Sequence, residues 1–204
     1  MGRRSVVRYP RVVVRICGGL GNQLFAYAAA RRLAWANGAK LMIDAHSGFE
    51  GDKYDREYRL DFFMAPARCT KAGFAWRGVT GKFIRAGLRL VQSADINAPV
   101  TLLEEPTPNK FYPWLIECQV RSVVYLQGYW QSPLYFADIA EELRDELKLQ
   151  NPPLDSNQKL AQRIGEKESV CIHVRRVDYA NRLSRDYYEK AIQRVEAKVA
   201  NPVY

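Results

Sequence analysis

The sequence predicts an α/β fold built on a parallel sheet, and three observations predict it. A β-branched apolar run, VVVRIC at 12–17, leads into a glycine-rich turn; an alanine-rich helical stretch follows; a second apolar run, AKLMIDA, comes next. Strand, tight turn, helix and strand within about 35 residues make a βαβ unit, with a right-handed crossover and parallel strands.

Each element has its own reason. Residues 12–17 are rich in β-branched side chains and run into a glycine pair, as in a buried strand. Residues 22–37 carry small and apolar side chains around most of a helical circumference and stop at Gly38. From 47 to 119 the pattern is less legible, with Pro, Gly and aromatics scattered among basic residues and one helical stretch around 79–92. Residues 120–127, VRSVVYLQ, read as another strand. QSPLYFADIAEELRDELKL reads as one amphipathic helix, with Ser132 as N-cap, Pro133 at its first position and Ile139, Leu143 and Leu147 along one face. QNPPLDSNQ then reads as a linker. Beyond it, ESVCIHVR has the pattern of a buried strand and SRDYYEKAIQRVEAKVA that of a helix. The expected division is residues 1–150 as one α/β layer and 151–204 as a linker with the opening of a second.

Composition narrows the partners. A chain of 204 residues is long enough for one domain and part of another. The formal charge of +9, with no Asp or Glu before Asp44, attracts polyanions or phosphorylated small molecules. Basic residues interleaved with a glycine turn and a core-like helix fit a phosphate pocket better than a nucleic-acid face, so nucleic acid is not an expected partner. Cys17, Cys69, Cys118 and Cys171 are widely separated, with no CxxC pair and no zinc spacing. Cys17 and Cys171 fall in the strand-like runs, where a reduced thiol behaves as a small hydrophobe, and a reducing cytoplasm is the expected location. No apolar run approaches the roughly 18 residues of a membrane span and no signal peptide is evident, so peripheral contact through basic residues is the one membrane association expected.

Two stretches can carry chemistry. In RICGGLGNQLFAYAAARRLA the glycine turn brings backbone N–H groups close to the start of a helix, where the dipole favours negative charge. Gly19 and Gly21, with Asp44 at the end of the next strand, partly satisfy a dinucleotide fingerprint, but Leu24 stands at its third glycine. NAD(P) binding and a merely structural turn therefore remain as alternatives, while the P-loop pattern fails for want of Gly-Lys-Ser/Thr. In CIHVRRVDY, His173, Arg175 and Arg176 lie where an open α/β sheet places its ligands, and adjacent guanidiniums there need an anion. Strand alternation sends the two arginines to opposite faces, so one can grip phosphate oxygens while the other pairs with Asp178; an internal salt bridge is the plain alternative. The aromatics of FYPW and GYWQSPLYF can stack on a sugar ring or serve as core.

Five motifs, GGLGNQLFAYAAARRLA, YRLDFF, LQGYWQSPLYFADIAEELR, HVRRVDY and RDYYEKAI, occur in this order and resemble glycosyltransferase family 11, the α-1,2-fucosyltransferases that use GDP-fucose. The resemblance runs from about residue 11 to 195. It implies a GT-B-like architecture of two Rossmann-like domains, the acceptor held by residues 1–150 and the GDP-fucose donor by 151–204. It implies inverting transfer of fucose to the 2-hydroxyl of a galactose in a glycan, with no metal and no cofactor beyond the donor substrate. Arg175 would neutralise the leaving diphosphate, with His173, Arg176 and Asp178 supporting that pocket, and Gly19, Gly21, Asn22 and Gln23 would line the cleft from the other side. The acceptor hydroxyl must lose a proton, and Asp44 or His46 are the bases the sequence offers. Val177 stands where the motif normally has glycine, and family members continue past the RDYYEKAI helix. An incomplete second domain leaves apolar surface that homo-oligomerisation would cover, and a non-catalytic glycan- or nucleotide-binding relative is the alternative to an active enzyme.

Overall fold

A computed structural model describes residues 9–70, 100–174 and 183–204. The helical stretch expected around 79–92 lies outside the described residues. The chain divides into two compact units, Met1–Gln150 and Asn151–Tyr204.

In the first unit, β1 (Arg11–Arg15), β2 (Lys40–Asp44), β3 (Arg68–Cys69), β4 (Val100–Glu104) and β5 (Val123–Gln127) form one sheet in the order β3-β2-β1-β5-β4. Every pairing is parallel, β1 sitting between β2 and β5. The βαβ expectation holds: α1 (Leu20–Ala36) connects β1 to β2 and ends at Asn37 and Gly38, the glycine with φ of 57°. Strand alternation puts Val12 and Val14 in the large core against the alanine face of α1, and Val13 with Leu102 and Tyr125 on the opposite face. Alanines at 26, 28, 29, 30 and 34 let the helix lie close on the sheet.

A short helix, α2 (Trp114–Glu117), precedes β5. The single helix expected over 133–147 is instead three pieces: 3₁₀ turns at Pro133–Tyr135 and Ala137–Ile139, then α3 (Ala140–Glu146). Ser132 does cap the start, its Oγ accepting from the Leu134 N–H, and Ile139 and Leu143 are buried as expected. The breaks fall at Phe136, φ −144°, and Ile139, φ −122°. Their cause is tertiary. Tyr135 is turned into the core, where its hydroxyl accepts from the Tyr112 N–H at 2.8 Å and its ring meets Trp130 edge-on. Asp138 is drawn to Arg32, and Glu146 to both Arg31 and the Tyr27 hydroxyl. One straight helix presents these groups along a single stripe and does not reach all three.

In the second unit, α4 (Asp155–Gly165) begins inside the expected linker, so Asp155–Gln158 is helix rather than connection. α5 (Arg185–Glu196) matches the expected C-terminal helix, capped by Ser184. The strand expected over 168–175 is not formed in the described part. Ser169 bridges Val203 in parallel, but Cys171, Ile172, His173 and Val174 are exposed coil. Val170 N–H donates to the Val203 carbonyl and Val203 N–H to that of Glu168, and among the described residues no further backbone bond extends this pairing. Leu160, Ile164, Cys171, Ile172 and Val203 consequently line an open groove of about 500 Å³.

Glu146 is the anchor most open to test in the first unit. Burial and the carboxylate's acceptor bond both push the Tyr27 hydroxyl pKa up, and Arg31 stays charged beside it. Glu146→Ala leaves both groups without their partner and should cost about 1–3 kcal/mol in urea unfolding; an unchanged midpoint would show that the anchor contributes nothing.

Candidate functional site

In a parallel sheet, ligands meet the carboxyl ends of the strands where the chain order breaks. Here that break lies between β1 and β5. The turn after β1 and the segment after β5 therefore face one another across the first unit's sheet edge.

The β1–α1 turn is shaped by Gly18, whose φ of 76° is left-handed; a Cβ there would come 2.8 Å from Asn22 Nδ2 and 3.2 Å from a ring carbon of Tyr129. The Tyr129 ring thus lies against the glycine turn. Asn22 Oδ1 accepts from Gln131 Nε2 at 2.8 Å, joining the start of α1 to the segment after β5. Gly19 caps α1 and, with Gly21, has open space where a side chain would project. Of the residues expected to line a cleft, Gly19, Gly21 and Asn22 stand here. Gln23 does not: it is 1% exposed, its amide donating to the carbonyls of Gly18 and Glu57 and its oxygen accepting from the Arg59 N–H. It rivets the turn to the chain at 57–59, a role that a glutamine beside a glycine turn gives no sequence signal to foresee.

Asp44, offered as a base, is 4% exposed and saturated. Oδ1 accepts from the backbone amides of His46 and Ser47, and Oδ2 from Ser47 Oγ at 2.6 Å and the Tyr125 hydroxyl at 2.7 Å. Arg15 completes the cluster by donating to Ser47 Oγ and its carbonyl. Burial by itself would raise the Asp44 pKa; the bonds from Ser47, Tyr125 and His46 outweigh it and hold the carboxyl below its usual value. The same carboxylate, together with burial, pushes the Tyr125 hydroxyl upward. His46 is half-buried in a separate, shallow hollow of about 370 Å³ with Phe49, Arg56 and Tyr58.

Residues that sequence reasoning passed over complete the strand-end site. Glu105, directly after β4, accepts the Tyr129 N–H on Oε2 at 2.8 Å. The charges of Arg15, Asp52, Arg56 and Glu105 all act on the Cys17 thiol, whose pKa burial raises, which gathers these groups around the turn. Gly128 and Trp130 both have positive φ, 144° and 53°, so the segment after β5 is held in a conformation that side chains resist. The sequence signals are the glycine in LQGYWQ and the aromatics after it, of which Trp130 is core, 0% exposed.

In the second unit His173 is exposed and in coil, not at the end of a buried strand. Arg175, Arg176, Val177 and Asp178 lie outside the described residues. Among the described residues no group of three His, Cys, Asp or Glu is placed to hold a metal ion, and no helix is long and apolar enough to cross a membrane.

Comparison with known proteins adds to this geometry. The model of glycosyl transferase family 11 matches residues 115–204, from the helix before β5 to the end of α5 and beyond. An α-1,2-colitosyltransferase of Escherichia coli is 26% identical over 95% of this chain and 67% of its own length. Over residues 115–204 the chain is similar to glycosyl transferase family 11. A solved structure of Arabidopsis thaliana FUT1, a mutant in complex with GDP, superposes with a TM-score of 0.51 at 13% identity and covers 94% of this chain. That likeness is one of fold. The chain spans about half of that structure, 49% of its length. The region matched by the family model includes both the strained segment after β5 and the HVRRVDY motif.

A pH titration tests the Asp44 cluster. The folded carboxyl lies below its unfolded pKa, so the cluster's stabilisation is complete above about 3.8 and is lost as pH falls through the folded value. Asp44→Asn should therefore melt lower than wild type near neutral pH, with the two curves converging below that pKa. A constant gap down to acid pH would contradict the assignment.

Proposed function

We propose that this chain takes part in transfer of a sugar from a nucleotide diphosphate sugar, GDP-fucose, to the 2-hydroxyl of a galactose in a glycan acceptor. The observation that carries the reading is the family match over residues 115–204, since it includes HVRRVDY, the part of the sequence with the density of cationic donors a diphosphate needs. The relative from Escherichia coli is named for an α-1,2 linkage, which supports the 2-hydroxyl as the acceptor position, and for colitose rather than fucose as the sugar moved. The solved structure of Arabidopsis thaliana FUT1 holds GDP, which supports a guanosine diphosphate donor.

In this reading the first unit takes the acceptor and the second the donor. Departure of the sugar from its diphosphate builds negative charge on the phosphate oxygens, and guanidiniums fixed there stabilise that charge as it develops. Arg175 is assigned this part, with His173, Arg176 and Asp178 shaping the same pocket. The turn at Gly19, Gly21 and Asn22, with the Tyr129 ring beside it, presents backbone amides and an aromatic surface, a combination suited to a sugar's hydroxyls and its apolar face.

Isothermal titration with GDP should give saturable binding, weakened at least about tenfold in Arg175→Ala. Thermal stabilisation by GDP but not by NAD(P) is the companion result. Absence of any heat with GDP, or stabilisation by NAD(P) alone, would overturn the reading.

A further inference from the structure

We infer that Glu105 is the carboxylate that accepts the proton of the acceptor hydroxyl; this rests on the glycosyl-transfer reading above and assigns its missing base. Four carboxylates stand around the strand ends of the first unit, and three are engaged in ways that leave them structural. Asp44 accepts four hydrogen bonds. Glu104 accepts the Gln127 amide at 2.8 Å. Asp52 accepts the Tyr54 and Arg56 amides and faces the Arg56 guanidinium at 3.7 Å. Glu105 differs from all of them. One oxygen, Oε2, is fixed by the Tyr129 N–H, while Oε1 is buried with no hydrogen-bond partner, the one carboxylate oxygen in that condition among the described residues.

A second unpartnered polar group borders the same glycine. Trp130 is 0% exposed and its Nε1 has no acceptor. Both groups border Gly128: a Cβ on that glycine would meet Glu105 Cβ at 2.4 Å, Glu105 Oε2 at 3.0 Å and Trp130 Nε1 at 3.0 Å. Only glycine, at φ 144°, lets the backbone pass so close. A buried oxygen and a buried indole N–H left open on two residues that both border Gly128 cost free energy that apolar groups avoid, and a ligand hydroxyl, which donates and accepts at once, can serve such groups. The site lies at the break between β1 and β5, and its charge acts on Cys17 in the glycine turn, so it belongs to the face on which the acceptor is proposed to bind.

The step balances. The hydroxyl proton passes to Glu105 Oε1, the freed oxygen pair forms the bond to the donor's anomeric carbon, and the electrons of the breaking C–O bond leave on the GDP phosphate. An oxygen kept from water is not weakened by hydration before it receives that proton.

Glu105→Gln separates chemistry from structure, because the amide oxygen can still accept the Tyr129 N–H while the group no longer takes a proton. With GDP-fucose and lactose, the variant should lose at least about 100-fold in kcat with KM for lactose little changed, and its rate should no longer fall on the acid side. Should the variant not fold, Glu105→Asp keeps the charge and draws it back by one methylene; its kcat should fall and its acid limb shift. Wild-type rates and pH profile in whichever variant folds would overturn the assignment while leaving glycosyl transfer intact. No transfer by the wild-type chain would instead overturn the transfer reading, and this inference with it.

Discussion

The first unit depends on one geometric constraint: a parallel sheet must return its chain to the same end after every strand, and here the order breaks between β1 and β5. Two central strands consequently release their chains side by side, one into the glycine turn at 18–19 and the other into the strained segment at 128–131. Neither segment can pair with a further strand. Both must satisfy their backbone by other means, and that requirement explains the Gln23 amide at the Gly18 carbonyl and the reach of Glu105 to the Tyr129 amide, while the Asn22–Gln131 bond ties the two segments together through side chains.

The polar groups at this edge fall into two sorts by whether their hydrogen-bonding capacity is spent. Asp44 and Gln23 are buried and saturated, and each ties a loop to the sheet. Glu105 Oε1 and Trp130 Nε1 are buried and open. Saturated buried groups stabilise; open ones are retained against their cost, and it is among them that binding and proton transfer are best sought. By this criterion Asp44 is a structural residue, although its place at the end of a strand made it, with His46, one of the two bases the sequence offered.

Much of the sheet was legible because local pattern and fold agree there. β-branched runs gave β1, β2 and β5, and the alanine-rich stretch ending at Gly38 gave α1. Long-range contacts decided what was missed. The helix over 133–147 has good local signals, yet Tyr135, Asp138 and Glu146 are each bound to a different distant partner and break it. ESVCIHVR has strand composition, but a strand exists only where a neighbour supplies donors and acceptors, and past Val170 none does among the described residues. At the site, glycines 19 and 21 were readable from their spacing. Glu105 was not, since a glutamate after a strand acquires meaning only from Gly128 and Trp130, more than twenty residues away.

The second unit keeps its two helices with no buried residues and an apolar groove along α4, while the HVRRVDY motif stands partly outside the described residues. The proposed acceptor face lies on the first unit, and backbone amide chemical shifts recorded against a galactoside locate it. Titration with lactose in the presence of GDP should move the resonances of Gly18, Gly19, Tyr129 and Gln131 together. Shifts confined to the hollow around His46 or to the groove between Leu24 and Leu147, with the strand-end resonances unmoved, would contradict it.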